Sequence, residues 1–284
     1  MNFAGYGECP VEETVRLSSL FTFFRKTYSL DFTFQGESHD FYEVVCVLDG
    51  KAGITAGKNV YTLSVGQMIL HPPAQFHAIW SDYGSSPEIL IFSFRAEKFP
   101  EGCNGIYPLT PEQIEEIKAV YSAAERAFVL EDINVKGTRS EIEAEKVVRR
   151  LEIFLLSVLD TGNGRAEQAY SRSGENYYHI VSVMERNLEE ELTADSLAKQ
   201  CGMSVPALEK TVKKYTGHGA MRYYNELKMR RATELLKDGK SVKEVALSLG
   251  FSDQNYFSLR YKKWAGVPPS AVGTLSVFPR DSNM

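Results

Sequence analysis

The sequence predicts an α+β protein of two domains. An N-terminal antiparallel β-barrel with flanking helices precedes an all-α domain, in which a linker helix joins two helix-turn-helix units. Three observations predict this fold. The first hundred residues alternate short runs rich in Val, Ile, Phe, Tyr and Thr with turn signals. From Thr110 onward apolar residues recur at helical spacing, and the last third contains an internal near-duplicate.

A chain of 284 residues is long enough for two separate cores. We expect these boundaries: a first domain at 1–160 (barrel at about 15–100, helices at about 110–160), a polar linker at 161–175, a helical domain at 176–273 and a tail at 274–284.

The composition indicates a soluble globular protein of the cytoplasm, with 43% hydrophobic and 24% charged residues. No apolar stretch is long enough to span a membrane, and residues 1–10 lack the basic cluster of a secretory signal. The four cysteines lack C-x-x-C spacing, which argues against a disulfide framework or a zinc site. Residues 193–273 contain 14 Lys and Arg against 7 Asp and Glu, although the chain's net charge is −5. This basic third favours a polyanionic partner.

The predicted strands are separated by turn signals such as Leu48-Asp49-Gly50-Lys51, Ala56-Gly57-Lys58-Asn59 and His71-Pro72-Pro73. The run Phe41 to Leu48 is apolar except at Glu43. A carboxylate is therefore expected on a strand that is largely buried.

Two helices follow the strands. Thr110-Pro111-Glu112-Gln113 is a typical helix start. A second helix, roughly Glu141 to Leu159, has Ile142 and five further apolar residues on one predicted side. This side either packs on the barrel or forms a homodimer. The residues assigned to dimerisation are Val147, Leu151, Phe154, Leu155 and Val158.

The repeat aligns residues 197–204 with 245–252, and Leu208 to Gly217 with Phe257 to Gly266. In each copy a short helix with a small Ala leads to a glycine turn, at Gly202 or Gly250. A serine then caps the next helix, Ser204 or Ser252. Each copy ends in a Lys-Lys pair and a glycine, which favours DNA contact over a plain helical bundle.

Residues 190–273 resemble the DNA-binding domain of the AraC/XylS family of bacterial regulators. The resemblance rests on the linker-helix stretch Tyr223 to Ala232, and on Val245-Ala246 through Gly250-Phe251-Ser252 to Lys262-Lys263-Trp264 and Pro268-Pro269-Ser270. It implies a homodimer that binds double-stranded DNA through two recognition helices, activates transcription and possesses no enzymatic activity. RNA polymerase is a further expected partner.

The family's base-facing positions fall on Pro206, Glu209, Lys210, Gln254, Asn255 and Leu259. Phosphate contacts are expected at Ser204, Lys213, Ser252 and Lys262. Leu259 stands where the family usually has a polar residue, so it either touches a thymine methyl or packs half-buried.

Glu37-x-His39-x-x-x-Glu43, followed by Gly66 and His77, resembles the two motifs of cupin barrels. Metal-binding cupins have a histidine where Glu37 stands. We therefore interpret the barrel as a metal-free and cofactor-free pocket for a small polar effector such as a sugar. Its predicted lining is Glu37, His39, Phe41, Glu43, His77 and Trp80. Two alternatives remain: a metal-dependent cupin enzyme or metal sensor, in which Glu37, His39, Glu43 and His77 hold the ion, and a barrel that only dimerises.

Overall fold

The computed structural model describes residues 9–82, 84–160 and 172–272. The strands are β1 Arg16–Thr27, β2 Thr33–Glu37, β3 Tyr42–Asp49, β4 Lys51–Ala56, β5 Asn59–Ser64, β6 Gln67–His71, β7 His77–Ser81, β8 Glu88–Lys98, β9 Gly105–Pro108, β10 Phe128–Glu131 and β11 Asn134–Thr138. The helices are α1 Pro111–Ala127, α2 Glu141–Leu159, α3 Arg172–Arg186, α4 Ala194–Gln200, α5 Val205–Thr216, α6 Ala220–Lys237, α7 Val242–Ser248 and α8 Gln254–Ala265.

The predicted antiparallel sheet domain is confirmed, and it consists of two layers. One sheet has the order β10-β11-β1-β8-β3-β6-β9 and the other β2-β7-β4-β5. Within the described ranges, no strand of one sheet pairs with a strand of the other. The two sheets therefore face each other as separate layers. Most of the linker expected at 161–175 and all of the tail expected at 274–284 lie outside the described residues. Helix α3 begins within the expected linker.

Strand β3 lies at the centre of this arrangement. Val44 and Cys46 pack on α1 and α2, whereas Val45 and Val47 face the second sheet, because side chains alternate along a strand. Glu43 shares the parity of Val45 and is buried between the sheets. The sequence expectation of a carboxylate on a buried strand is therefore confirmed.

Helix α2 has the predicted bounds. Of the two alternatives for its apolar side, the structure shows packing on the sheet domain. All five residues assigned to dimerisation, Val147, Leu151, Phe154, Leu155 and Val158, are buried in the protomer's own core with α1 and the larger sheet. They are not available to a second chain. Ile142, which the sequence grouped with them, is instead exposed on the opposite face with Ile153 and Leu156.

A hairpin of β10 and β11 separates α1 from α2, and the sequence analysis did not predict it. Asp132 takes a positive φ of 51° at its turn. The run Phe128-Val129-Leu130, made of apolar residues that include β-favouring Phe and Val, is a signal that could have revealed the first of these short strands.

The C-terminal domain contains both predicted helix-turn-helix units, α4–α5 and α7–α8, and α6 joins them. Gly202 and Gly250 occupy the left-handed turns at φ 66° and 72°. A Cβ at Gly250 would stand 2.0 Å from the Glu189 carbonyl oxygen, so this turn leaves no room for a side chain.

Ser204 caps α5 as expected. The expectation for Ser252 is wrong, because Asp253 caps α8 by accepting from the Asn255 N–H at 2.8 Å.

Lys228 of α6 is buried. Its ammonium group donates to the carbonyl oxygens of Glu190 and Leu249, the latter at 3.0 Å. These carbonyls belong to the segment before α4 and to the turn after α7. Lys228 therefore ties the two helix-turn-helix units to each other.

The outer face of the four-stranded sheet packs against the C-terminal domain. Phe76 and Ala78 enter the same hydrophobic cluster as α3, α5 and α6. The Thr55 hydroxyl donates to the Tyr215 carbonyl at 3.2 Å, and the Tyr177 hydroxyl donates to the Gly57 carbonyl at 3.2 Å. The order of layers is thus helices, large sheet, small sheet, helical domain. Within the described ranges, no helix has the length and apolarity to cross a membrane.

Candidate functional site

Four of the predicted effector residues meet at one end of the space between the sheets. Glu37 ends β2, Glu43 is the second residue of β3 and His77 begins β7, while His39 lies in the loop between β2 and β3. One donor atom from each residue lies within 4.8 Å of the other three. Glu37 pairs with His77 in the sheet register, which explains how residues 40 positions apart come together.

The Glu43 carboxylate lies between two imidazoles. Its Oε1 is 3.2 Å from His77 Nε2, and its Oε2 is 3.7 Å from His39 Nε2. Both Nε2 atoms are buried and lack a hydrogen-bond partner with acceptable geometry in the described part of the chain. The contacts to Glu43 are therefore electrostatic.

Backbone carbonyls fix the orientation of both rings. His39 Nδ1 is 3.0 Å from the Phe41 oxygen, and His77 Nδ1 is 3.1 Å from the Gln75 oxygen. Because a carbonyl can only accept, each Nδ1 must bear the proton. Each Nε2 faces Glu43, and in the neutral form of the ring it is the nitrogen that carries the lone pair.

The charges in the cluster shift one another's protonation. Burial by itself would raise the pKa of Glu43, but the two imidazoles, His77 foremost, outweigh it and hold that pKa below its usual range. Burial lowers the pKa of His77, and the Glu43 carboxylate outweighs this and raises it overall. The site therefore favours an ionised carboxylate at Glu43.

His71 also belongs to the site, although the sequence indicated only a turn at His71-Pro72-Pro73. Its ring stacks on His77 at 4.6 Å, and its Nδ1 lies 2.7 Å from Gln75 Oε1. Burial, with His77 beside it, lowers the pKa of His71 to about 3. Three of the chain's five histidines are thus gathered here. His71 lies opposite Glu43 in the β3–β6 pairing, and this pairing places it in the site. Strand pairing is not visible in the sequence, so His71 was not assigned from it.

The two predicted aromatic residues behave differently. Phe41 stacks on His39 with ring centroids 3.8 Å apart and supports the cluster.

Trp80 does not reach the polar cluster. On β7 it has the opposite parity to His77, so its side chain points to the outer face of the sheet. There Trp80 covers Gly53 and lies 5.8 Å from the Tyr215 ring. It lines a pocket of about 100 Å³ between the domains, together with Lys213 and Lys214. Its assignment to the same pocket as His77 is wrong.

The remaining space between the sheets is filled at the other end. Aliphatic side chains of both sheets form a continuous core there, including Val45, Ile54 and Ile91. The Glu37 side chain, 37% exposed, forms the solvent-facing side of the polar cluster. A ligand would therefore enter at Glu37 and reach the histidines rather than the aliphatic core.

The residues predicted to contact bases have different surroundings. Gln254, Asn255 and Leu259 are exposed on α8, and the 69% exposure of Leu259 excludes the half-buried alternative. Pro206 and Lys210 are exposed on α5. Tyr256, also exposed, lies beside Asn255 and under Arg260, and the sequence analysis did not include it.

Glu209 is the exception in this set. It is half-buried, and its Oε2 accepts from the Ala220 N–H at 3.0 Å, at the start of α6. This contact competes with the predicted contact to a base.

All four predicted phosphate-binding residues are exposed: Ser204, Lys213, Ser252 and Lys262. Lys213 differs from Lys262 because it borders the pocket between the domains. Lys213 and Lys262 lie in the last turns of α5 and α8, respectively.

Comparisons with known proteins agree with both halves of the molecule. A family model described as an AraC-like ligand binding domain matches residues 21–142, and a helix-turn-helix domain model matches residues 197–274. The chain is 22% identical to the HTH-type transcriptional activator RhaS of Escherichia fergusonii over 84% of its length and 87% of that protein. It is 39% identical to the HTH-type transcriptional regulator ArgR of Pseudomonas aeruginosa over 31% of its length and 27% of that protein.

Solved structures match over similar ranges. ToxT from Vibrio cholerae O395 is 14% identical and covers 90% of this chain and 98% of its own, with a TM-score of 0.36. An AraC-type DNA-binding domain protein from Chromobacterium violaceum is 34% identical, over 37% of this chain and 95% of its own, with a TM-score of 0.34. The two family models together cover most of the chain and correspond to the sheet domain and the helical domain. The chain belongs to the AraC family of DNA-binding transcription regulators, with an AraC-like ligand-binding domain joined to a helix-turn-helix domain.

Proposed function

We propose that one molecule of this regulator reads two successive major-groove segments of DNA, one with α5 and one with α8. The observation that supports this most directly is the exposure of Lys210 on α5 and of Gln254 and Asn255 on α8. Gln and Asn can pair with adenine, and Lys can donate to guanine. Lys213 and Lys262 supply phosphate contacts that set the register but not the sequence.

A small polar effector acts on DNA binding through β7. This strand presents His77 to the polar cluster and Ala78 and Trp80 to the helical domain, because its side chains alternate. An effector that displaces His77 must move the same strand that supports α5. Such a shift changes the relative free energy of two arrangements of the domains, which is the requirement for allosteric control.

The output is activation through contact with RNA polymerase, since the RhaS relatives are transcriptional activators. The chain acts without catalysis of its own, in the cytoplasm where bacterial DNA lies.

It functions as a homodimer through the exposed face of α2, where Ile142, Ile153 and Leu156 form an apolar stripe. Light scattering on Ile153→Glu should give half the mass of the wild-type protein at equal concentration. An unchanged mass would reject this face.

Selection of binding sites from random-sequence DNA with the full-length chain tests the main proposal. We expect two conserved boxes about 10 bp apart, one helical turn, for each molecule. Asn255→Ala should remove the preference at one position of one box only. Lys214→Ala is the matched control on α5, since this lysine lies against Tyr215 and is not predicted to contact a base. A single box, or no enrichment, would contradict the proposal.

A further inference from the structure

We propose that Glu37, His39, Glu43 and His77 form a binding site for one divalent transition-metal ion. This replaces the metal-free pocket expected from the sequence. The inference rests on the geometry of the donor atoms and does not depend on the proposed function.

The distances suit a single ion. Donors held about 2.1 Å from one ion lie roughly 3.0 Å apart when adjacent in an octahedral site and roughly 4.2 Å apart when opposite. His77 Nε2 is 3.2 Å from Glu43 Oε1 and 3.9 Å from Glu37 Oε1. His39 Nε2 is 3.7 Å from Glu43 Oε2. The four donor atoms lie within 4.8 Å of one another, so the widest separation must close by up to about 0.6 Å for all four to coordinate an ion at the centre.

The two histidines are oriented as metal ligands are. A ligating imidazole usually donates its second ring N–H to a carbonyl or carboxylate, which fixes the tautomer and aims the other nitrogen at the ion. His39 and His77 both have Nδ1 at a backbone oxygen and a buried Nε2 that the described residues do not hydrogen-bond. His77 is 4% exposed, and its Nε2 has an ion-pair contact with Glu43 but no hydrogen bond, so this buried atom calls for a further ligand.

The charge and the chemistry of the donors select the class of ion. Two carboxylates balance a charge of +2, and a mixed set of imidazole and carboxylate suits manganese, iron, cobalt, nickel or zinc. Calcium and magnesium prefer oxygen donors alone. An octahedral ion would keep two positions that these four residues do not fill.

The position in the fold gives the site a structural effect. Glu43 belongs to the larger sheet, whereas Glu37 and His77 belong to the smaller one. An ion held by all three would join the two sheets at the end that lacks the aliphatic core. Binding should therefore raise the melting temperature of the protein.

Metal titration of the full-length chain tests the site. After treatment with EDTA, the protein is titrated with Co²⁺ and with Mn²⁺, and binding is followed by visible absorption and by equilibrium dialysis. We expect one ion per chain and a higher melting temperature. Glu43→Gln and His77→Gln should each weaken binding at least tenfold, while His179→Gln, which removes an exposed histidine of α3, should leave it unchanged.

Circular dichroism shows whether each variant is folded, and His39→Gln replaces any that is not. Failure of the wild-type protein to bind either ion stoichiometrically would overturn the inference. So would binding that Glu43→Gln and His77→Gln leave intact, or that His179→Gln alone abolishes. None of these readouts uses DNA, so their failure leaves the proposed DNA-binding function untouched.

Discussion

The two helix-turn-helix units are near-copies in sequence but differ in what they pack against. Both have a serine or aspartate cap, a left-handed glycine between the helices and a left-handed glycine after the second helix. The core of the α4–α5 unit, however, includes Phe76 and Ala78 from the ligand-binding domain. The core of the α7–α8 unit is built only from its own domain within the described residues.

This difference suggests a division of labour. The first unit is in direct contact with the sheet that bears His77, so a ligand can reach it through packed side chains. The second unit is connected through α6 and through Lys228, which hydrogen-bonds to both halves of the domain. We therefore expect ligand binding to change contacts of α5 with DNA more than those of α8.

The largest effect is expected from removing the core residue that the repeat places at the same position in each unit. Leu208 and Phe257 are both fully buried. Phe257→Ala should lower the free energy of unfolding by about 3–5 kcal/mol and Leu208→Ala by about 2–5 kcal/mol. The chain's two tryptophans report separately on the interface with the ligand-binding domain and on the second unit, Trp80 and Trp264 respectively.

Urea unfolding should therefore be followed in single-tryptophan backgrounds, Trp264→Phe or Trp80→Phe. Phe257→Ala should shift the Trp264 transition to lower urea, and Leu208→Ala should shift the Trp80 transition. If each variant shifts both signals equally, the two units unfold as one and the comparison loses its energetic basis.

A smaller effect is expected at the recognition surface of α8. Asn255→Ala should reduce discrimination at one base step by about 1–3 kcal/mol, because a bidentate contact to adenine is lost. Competition binding with the selected operator and with random DNA measures it. An equal loss of affinity on both DNAs would identify Asn255 as a structural residue or a phosphate contact.

The phosphate contacts should have the smallest effect on specificity. Lys262→Ala should weaken binding uniformly across sequences and reduce the slope of log affinity against log salt by about 1. Lys213→Ala should do the same, but Lys213 also borders the pocket between the domains. A salt slope that changes for Lys262→Ala alone would mean that the domain contact diverts Lys213 from DNA.

Local signals made much of this fold predictable. The Ser204 cap marked the start of α5, the left-handed glycines marked the turns after α4 and α7, and helical spacing gave α2 its observed bounds. The spacing did not show correctly which residues of α2 face the core and which are exposed. Ile142 joined the wrong face, and the five assigned dimer residues proved to be core.

The polar cluster was only partly predictable, for reasons of strand pairing. The spacing Glu37-x-His39-x-x-x-Glu43 singled out three members of the cluster, although His39 lies in a loop and not on a strand. The parity of β7 could have excluded Trp80. The register that sets Glu37 beside His77, and His71 opposite Glu43, depends on contacts between residues far apart in sequence. The interface between the domains has the same origin, so no local pattern reveals it.

The most direct test of the account is the effect of Trp80→Ala on the two boxes of the selected operator. Fluorescence anisotropy would measure affinity for operators in which one box or the other is scrambled. Trp80 packs near Tyr215 at the end of α5, so we expect its removal to change affinity through the α5 box by about 1 kcal/mol and to leave the α8 box unaffected. Equal changes at both boxes, or a change at the α8 box alone, would contradict the claim that the ligand-binding domain acts on DNA through the first unit.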